Sequence, residues 1–184
     1  MKSAERLAEW VEQKHRGQVK KYSGEPYFNH VLEVAELAKP IITLGYEIGL
    51  CHDLLEDTNT SEHELYQALL GFNYNPDEAR HVTDCVVELT DVFTAVAYPF
   101  LSRERRKGRE AARLLTISTD AQTVKYCDLL TNIPLVMRYD KNRAPEYLRK
   151  KEILVRKLYK GNSDLREKTL ALIYNCLEDL QAGN

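Results

Sequence analysis

Long apolar runs are missing from this chain of 184 residues, and no stretch approaches the roughly 20 residues that a membrane helix needs. A membrane-spanning role is therefore not expected. Cysteine is scarce and scattered: Cys51, Cys85, Cys127 and Cys176 show no C-x-x-C spacing. That excludes a disulfide framework or a zinc ribbon and fits a reducing compartment. Charge of one sign is not in excess either, with 26 basic against 28 acidic residues and a formal net charge of -2. Non-specific nucleic-acid binding is thus a poor candidate for the main task, and DNA is not an expected partner. Glycine and proline number only 8 and 6 and punctuate the chain rather than cluster. Alternating strand patterns joined by Asn-Gly or Asp-Gly turns are absent, as are repeats and low-complexity tracts. The opening MKSAERLAEW lacks the apolar stretch of a signal peptide, so the expected location is the cytoplasm.

What the chain does have is an apolar fraction of 43% arranged at helical spacing. Leu7, Trp10 and Val11 share one face, and so do Val31, Val34, Ala35 and Ala38. The pattern predicts about nine helices, over residues 2–21, 27–38, 43–56, 61–70, 76–89, 101–116, 119–138, 144–160 and 164–181. Ser61 with Glu64, Pro76 and Ser102 stand at helix starts. Thr90–Pro99 is the one irregular, mildly apolar connection. The expectation is an all-α protein of one domain spanning 1–184, with the helices over 144–181 serving to pack or to mediate self-association.

Three segments carry chemistry. In His52-Asp53-Leu54-Leu55-Glu56-Asp57, four ionisable groups fall within six residues after an apolar-leaning helix. Such a group is costly to bury without a cation or hydrogen bonds. An exposed acidic helix end is the bland alternative, and the apolar flanks favour a metal site. Gly24-Glu25-Pro26-Tyr27-Phe28-Asn29-His30 is a turn entering a helix, with His30 one turn inside. A lone helical histidine is more often a satisfied core residue, unless the His-Asp cluster draws it in as a further ligand. In Lys125-Tyr126-Cys127-Asp128-Leu129-Leu130-Thr131-Asn132, Asp128 stands in an apolar helical stretch, four residues before Asn132. It calls for a cation or for a salt bridge to Lys125.

In this order, Gly-Glu-Pro-Tyr-x-x-His, His-Asp-x-x-Glu-Asp and Lys-x-x-Asp-x-x-x-Asn resemble the HD-domain phosphohydrolases. Within these they look like the RelA/SpoT-type hydrolase domain and the small alarmone hydrolases. The similarity spans about residues 4–140. It implies a helical HD-domain bundle holding one divalent ion, usually Mn²⁺, through His30, His52, Asp53 and Asp128. It implies that Glu56 and Asp57 handle the attacking water, and that the reaction removes pyrophosphate from the 3′ position of (p)ppGpp in the stringent response. Two imidazoles and two carboxylates without a thiolate suit Mn, Fe or Mg better than structural zinc. Cys51 and Cys127, each next to a proposed ligand, are assigned to packing.

A substrate with several phosphates needs further cations. Lys20 and Lys21 lie beside the turn that leads to His30 and are expected to serve binding more than folding. Tyr22, Ser23 and Asn132 join them as candidate substrate contacts. The run Arg103, Arg105, Arg106, Lys107, Arg109 and Arg113 is a second source of phosphate contacts, although such a run is by default a solvated helix face. Two departures from the family pattern weaken guanine specificity more than metal chemistry. Lys20-Lys21 stands where an Arg-Lys pair is common, and Cys127-Asp128-Leu129-Leu130-Thr131-Asn132 stands where Ala-Asp-Arg-Leu-His-Asn is familiar. The partner expected is a small nucleotide. The alternatives are another nucleotide or a pyrophosphorylated tRNA 3′ end, in the manner of an antitoxin, and a non-catalytic partner-binding module. A chain of this length leaves no room for a synthetase domain, so a stand-alone hydrolase is expected.

Overall fold

Side chains that satisfy free backbone N–H groups set several of the helix starts. The computed structural model describes residues 2–182. Among them lie ten helices: α1 (Ser3–Lys14), α2 (Phe28–Ala38), α3 (Gly45–Cys51), α4 (Leu54–Asp57), α5 (Glu62–Gly71), α6 (Pro76–Leu89), α7 (Arg103–Leu114), α8 (Thr119–Tyr139), α9 (Ala144–Lys157) and α10 (Ser163–Ala182). Ser61, Ser102 and Ser118 each accept a hydrogen bond from the backbone three residues on and so start α5, α7 and α8. At α6 the bond is reciprocal: Asn75 accepts from Asp77 and Glu78, and Glu78 returns a bond to the Asn75 backbone, with Pro76 at the first turn. The all-α expectation holds, and among the described residues the one β-type pairing is an isolated bridge between Val19 and Pro26.

Two differences from the sequence reading matter. The first helix stops at Lys14 rather than near residue 21, because Gly17 adopts a positive φ of 84° and the chain turns there. The helix expected over 43–56 is two helices, α3 and α4, broken at His52 and Asp53. Asp53 leaves helical geometry, at φ -101° and ψ 2°. In a continuous helix these adjacent side chains would point about 100° apart. The break lets them converge.

The long α8 runs through the centre, and α2, α3, α6, α9 and α10 pack around it. Buried apolar side chains from Leu7 to Cys176 form one cluster, with Tyr126 its largest fully buried member. The Tyr126 hydroxyl donates to the Leu158 carbonyl at 2.5 Å, and Gln122 and Thr123 accept from the backbone of Lys160 and Asn162 at 3.0 Å each. These bonds fasten α9 and α10 to α8. Among the described residues, no helix is long and apolar enough to cross a membrane.

At Gly49 the backbones of α2 and α3 approach closely. A Cβ there would lie 2.7 Å from Ala35 Cα and 2.9 Å from its amide nitrogen, both backbone atoms that cannot rotate away. Gly49→Ala should therefore force the two helices apart and cost about 1–3 kcal/mol, as overpacking generally does. Urea denaturation of the two proteins checks this, and equal midpoints would show that the helices yield freely.

Candidate metal centre

The break between α3 and α4 meets α2 and α8 at one point. His30 comes from the first turns of α2, His52 and Asp53 from the break, and Asp128 from the middle of α8. Ligand atoms of His30, His52 and Asp53 lie within 4.8 Å of one another. His52 Nε2 is 3.0 Å from Asp53 Oδ2, and His30 Nε2 is 3.7 Å from the same oxygen. Asp128 closes the group through Oδ1, at 3.4 Å from His30 Nε2 and 3.8 Å from His52 Nε2. The structure thus brings together all four residues expected as ligands.

Each histidine is turned by a bond on its far nitrogen. His52 Nδ1 lies 2.7 Å from the Gly49 carbonyl, which can only accept, so in the neutral ring Nδ1 carries the proton and Nε2 presents a lone pair. That Nε2 is buried and has no hydrogen-bond partner of its own. His30 Nδ1 lies 3.3 Å from the Thr131 hydroxyl, whose proton is given to the Asp128 carbonyl, so here too the ring donates outward. The carboxylates are held in the same way. The Tyr27 hydroxyl donates to Asp53 Oδ2 at 2.5 Å. Asp128 Oδ2 pairs with the Lys125 ammonium at 2.8 Å, and its Oδ1 accepts from the Asn132 amide at 2.5 Å. The salt bridge to Lys125 and the cluster are therefore both present, one on each oxygen of Asp128.

The charges are strongly coupled. Burial alone would lower the His52 pKa, but Asp53, then Asp128, push it up to about 9. Burial likewise works against the charged form of Asp53, yet His52 and the Tyr27 hydroxyl hold its carboxyl at about 2. Asp128 is held well below the usual carboxylate range, against burial, by Lys125 and then the two histidines. Without an ion the cluster keeps a proton on an imidazole among carboxylates. A divalent cation fits the same place: two inward-facing imidazole lone pairs, two ionised carboxylates and an otherwise orphaned buried nitrogen make a hard-to-intermediate donor set.

Glu56 and Asp57 follow on α4 and reach solvent. Glu56 Oε2 accepts from the Asp91 backbone N–H at 3.2 Å. Although the side chain is exposed, the protein around it and then the Asp91 charge push its pKa up to about 7. The Asp57 pKa is also raised, first by loss of water and then by Asp53. The Asp57 backbone carbonyl is held by the Gln18 amide, and Gln18 in turn meets His15 Nδ1 at 2.7 Å.

The substrate-side expectations fare less evenly. Lys20 is buried, with its ammonium 3.2 Å from Glu33 and 3.5 Å from Glu25. It is a paired, structural cation rather than one free for phosphate, which corrects the expectation that it serves binding more than folding. Lys21 is exposed and lies over the Tyr22 ring. Tyr22 is stacked parallel to Tyr139, and its hydroxyl donates to Asp140 at 3.0 Å, so its ring is already partnered. Ser23 bonds to Glu25 at 3.2 Å. Asn132 holds Asp128, which makes it a support for a candidate ligand. In the basic run, Arg113 bonds to Glu110 and to the carbonyls of Glu88 and Thr90, and Arg106 bonds to the Leu101 carbonyl. Arg103, Arg105, Lys107 and Arg109 remain exposed. Cys51 and Cys127 are fully buried, and burial pushes the Cys127 thiol up to about 12, in keeping with packing.

Sequence reasoning missed Tyr27, Thr131 and Gln18, whose roles depend on partners far along the chain. It also missed α9, where Tyr147 and Lys151 are close enough to Asp128 to feel its charge. The loop after α6 is not loose: Glu110 accepts from the Val92 and Phe93 amides at 2.9 Å each. The clefts lined by Lys2, Leu44 and Tyr46 and by Glu25, Asn29 and Glu36 contain none of the metal-centre residues.

No protein-family model matches the chain. It is 37% identical over 103 residues to a GTP pyrophosphokinase of Myxococcus xanthus, covering 55% of this chain and 12% of that protein. It is 34% identical over 137 residues to the GTP pyrophosphokinase rsh of Brucella melitensis biotype 1, covering 70% of this chain and 16% of that protein. A solved structure described as a metazoan ortholog of SpoT that hydrolyses ppGpp superposes with a TM-score of 0.75 at 23% identity, over 94% of each chain. The likeness to the RelA/SpoT-type proteins holds in sequence and in fold. The chain spans less than a fifth of the length of either pyrophosphokinase.

Metal analysis should find one divalent ion per chain in the protein and none in His52→Ala. Equal content in both would remove His52 from the ligand set. A proton competes for the same nitrogen, so Mn²⁺ affinity measured by calorimetry should fall as pH is lowered from about 9 toward 6. In the metal-free protein the sign reverses. The His52 pKa is raised above its ordinary 6.5, so its contribution to stability is complete below that pH and is lost as pH rises through about 9. Melting curves of His52→Gln should lack that loss.

Proposed function

We propose that this chain is a metal-dependent phosphohydrolase that removes pyrophosphate from the 3′ position of guanosine alarmones, (p)ppGpp, with Mn²⁺ as its ion and the cytoplasm as its location. The convergence of His30, His52, Asp53 and Asp128 on one point, with Glu56 and Asp57 one turn beyond, carries this reading. The hydrolysis of ppGpp ascribed to the structurally similar SpoT ortholog supports it.

When bound, the ion would polarise a phosphate oxygen and lower the pKa of a coordinated water. The residues of the chain do the rest. His30, His52, Asp53 and Asp128 hold the ion in place. Tyr27, Thr131, Asn132 and Lys125 keep those four side chains aimed and charged. Glu56, with a pKa near 7, is ionised in a large fraction at neutral pH and still basic enough to take a proton from the attacking water. The Asp91 amide fixes one of its oxygens, leaving the other for that proton. Asp57 aims the water. The water oxygen bonds to the phosphorus attached to the 3′ oxygen, the P–O bond to the sugar breaks, the 3′ oxygen takes up a proton, and pyrophosphate leaves.

A second reading keeps this chemistry and replaces the nucleotide with a pyrophosphorylated tRNA 3′ end, favoured by the exposed Arg103, Arg105, Lys107 and Arg109 on α7. The purified protein with Mn²⁺ should release pyrophosphate from ppGpp and leave GTP intact. Release from modified tRNA alone, sensitive to Ala replacement of those four cations, would favour the second reading. No release from any substrate would overturn both.

Glu56→Gln and Asp57→Asn are near-isosteric and lie outside the proposed ligand set. Each should keep the ion and KM while lowering kcat by about 10²–10⁴-fold, the usual worth of general-base assistance. Loss of the ion with activity would make them ligands, and full activity would refute the role. The acid limb of the pH profile, near 7, should be missing in Glu56→Gln.

A further inference from the structure

His15 and Gln18 lie in the turn that follows α1, outside the three motif blocks. The His15 side chain is buried, and its Nδ1 lies 2.7 Å from Gln18 Oε1. Its Nε2 is buried too and, among the described residues, has no hydrogen-bond partner. The side chain thus makes one polar contact, to Gln18. At the other end of that glutamine, Nε2 donates to the Asp57 backbone carbonyl at 2.5 Å. A carbonyl only accepts, so the Gln18 nitrogen must face Asp57 and the Gln18 oxygen must face His15. His15 Nδ1 is then the donor.

Asp57 closes α4, a helix of one turn with too few internal bonds to persist on its own. Its carbonyl is among those that find no donor inside the helix. Within the segment, the Asp57 N–H bonds to the Asp53 carbonyl at 2.9 Å, and the Thr58 hydroxyl donates to the Leu54 carbonyl at 2.6 Å. Gln18 bonds from outside, 39 residues back in the sequence. The same turn also reaches Asp53. The Gln18 carbonyl accepts from the Tyr27 N–H at 3.0 Å, and the His15 ring lies 5.3 Å from the Tyr27 ring. The Tyr27 hydroxyl holds Asp53. One turn is therefore tied to both ends of the segment from Asp53 to Asp57.

We propose that His15 and Gln18 are positioning residues for Asp57: His15 fixes the direction of the Gln18 amide, and Gln18 holds the end of α4 so that the Asp57 carboxylate keeps its place relative to Asp53. The proposal rests on reading Asp57 as the residue that aims the attacking water.

The test compares Gln18→Glu with the parent, both as the full chain loaded with Mn²⁺. Glu keeps the length of Gln18 and can accept from His15, but its carboxylate cannot donate to the Asp57 carbonyl. With ppGpp, kcat should fall about ten- to a hundredfold, as for a reacting group displaced by about 1 Å, with KM and Mn²⁺ content unchanged. The readout without substrate is hydrogen exchange at the Asp57 amide. It should quicken about two- to tenfold, the fold-change set by the net worth of one hydrogen bond. His15→Leu should act like Gln18→Glu, and the double variant should be no worse than either. His15→Asn should keep most of kcat, because an Asn amide can donate from the place of Nδ1. Gln13→Glu, the same charge change at an exposed position of α1, should change nothing. In a parent that hydrolyses ppGpp, either readout unchanged in Gln18→Glu would overturn the proposal and leave the hydrolase standing. So would loss of Mn²⁺, a Tm lowered in step with kcat, or a His15→Asn as slow as His15→Leu, since the pair would then serve folding alone. Faster exchange in Gln18→Glu of a protein that hydrolyses no nucleotide would keep the clamp on α4 and discard the hydrolase.

Discussion

Two imidazoles, each with its Nε2 within 4 Å of an oxygen of both Asp53 and Asp128 and mostly out of water, form the constraint on which the rest of this structure depends. Neither neutral packing nor solvent can satisfy that group. It requires a shared proton or a cation, and it requires that every remaining lone pair and N–H on its rim find a partner. The outward partners of the four residues (Gly49, Thr131, Tyr27, Asn132 and Lys125) come from α3, α8 and the turn before α2. The centre and the helix packing are therefore one problem. Gly49 illustrates this, since it allows α3 to approach α2 and also supplies the carbonyl that sets the His52 tautomer.

Around that centre, cations divide into those committed to the fold and those left over. Lys20, Arg106 and Arg113 are bonded to carboxylates or backbone carbonyls and hold the turn before α2 and the loop after α6. Lys21 and, on α7, Arg103, Arg105, Lys107 and Arg109 are exposed instead. The pinned loop has a similar logic. Glu110 and Arg113 hold the chain on both sides of Asp91, and the Asp91 amide in turn holds Glu56. A carboxylate three helices away in sequence thereby keeps the candidate base in register.

Much of this was legible in one dimension. Helical spacing identified the all-α architecture, and Ser61, Pro76 and Ser102 lie at helix starts because a helix-start signal acts within four residues. The three motif blocks led to His30, His52, Asp53 and Asp128, all four of which meet. Where the reading failed, the competing interactions were long-range. Lys20 looked free beside its turn, and only the fold shows Glu33 and Glu25 closing on it. Tyr22 was read only as a candidate substrate contact, and Tyr139, more than a hundred residues away, stacks on its ring.

The sequence by itself determined the residue types and their local spacing. These gave helices with apolar faces, a His-Asp pair at a helix end, and a third acidic residue buried in an apolar run. Periodicity and capping act over a few residues, which is why they can be read without a fold. Only the tertiary structure decided which nitrogen of each histidine faces inward and which oxygen of Asp128 serves the centre and which serves Lys125. It alone decided that the chain breaks at Asp53 rather than continuing as helix. Where those outcomes depend on bonds between distant segments, as with His30 and Thr131 or Asp53 and Tyr27, the energies exist only once the helices have packed.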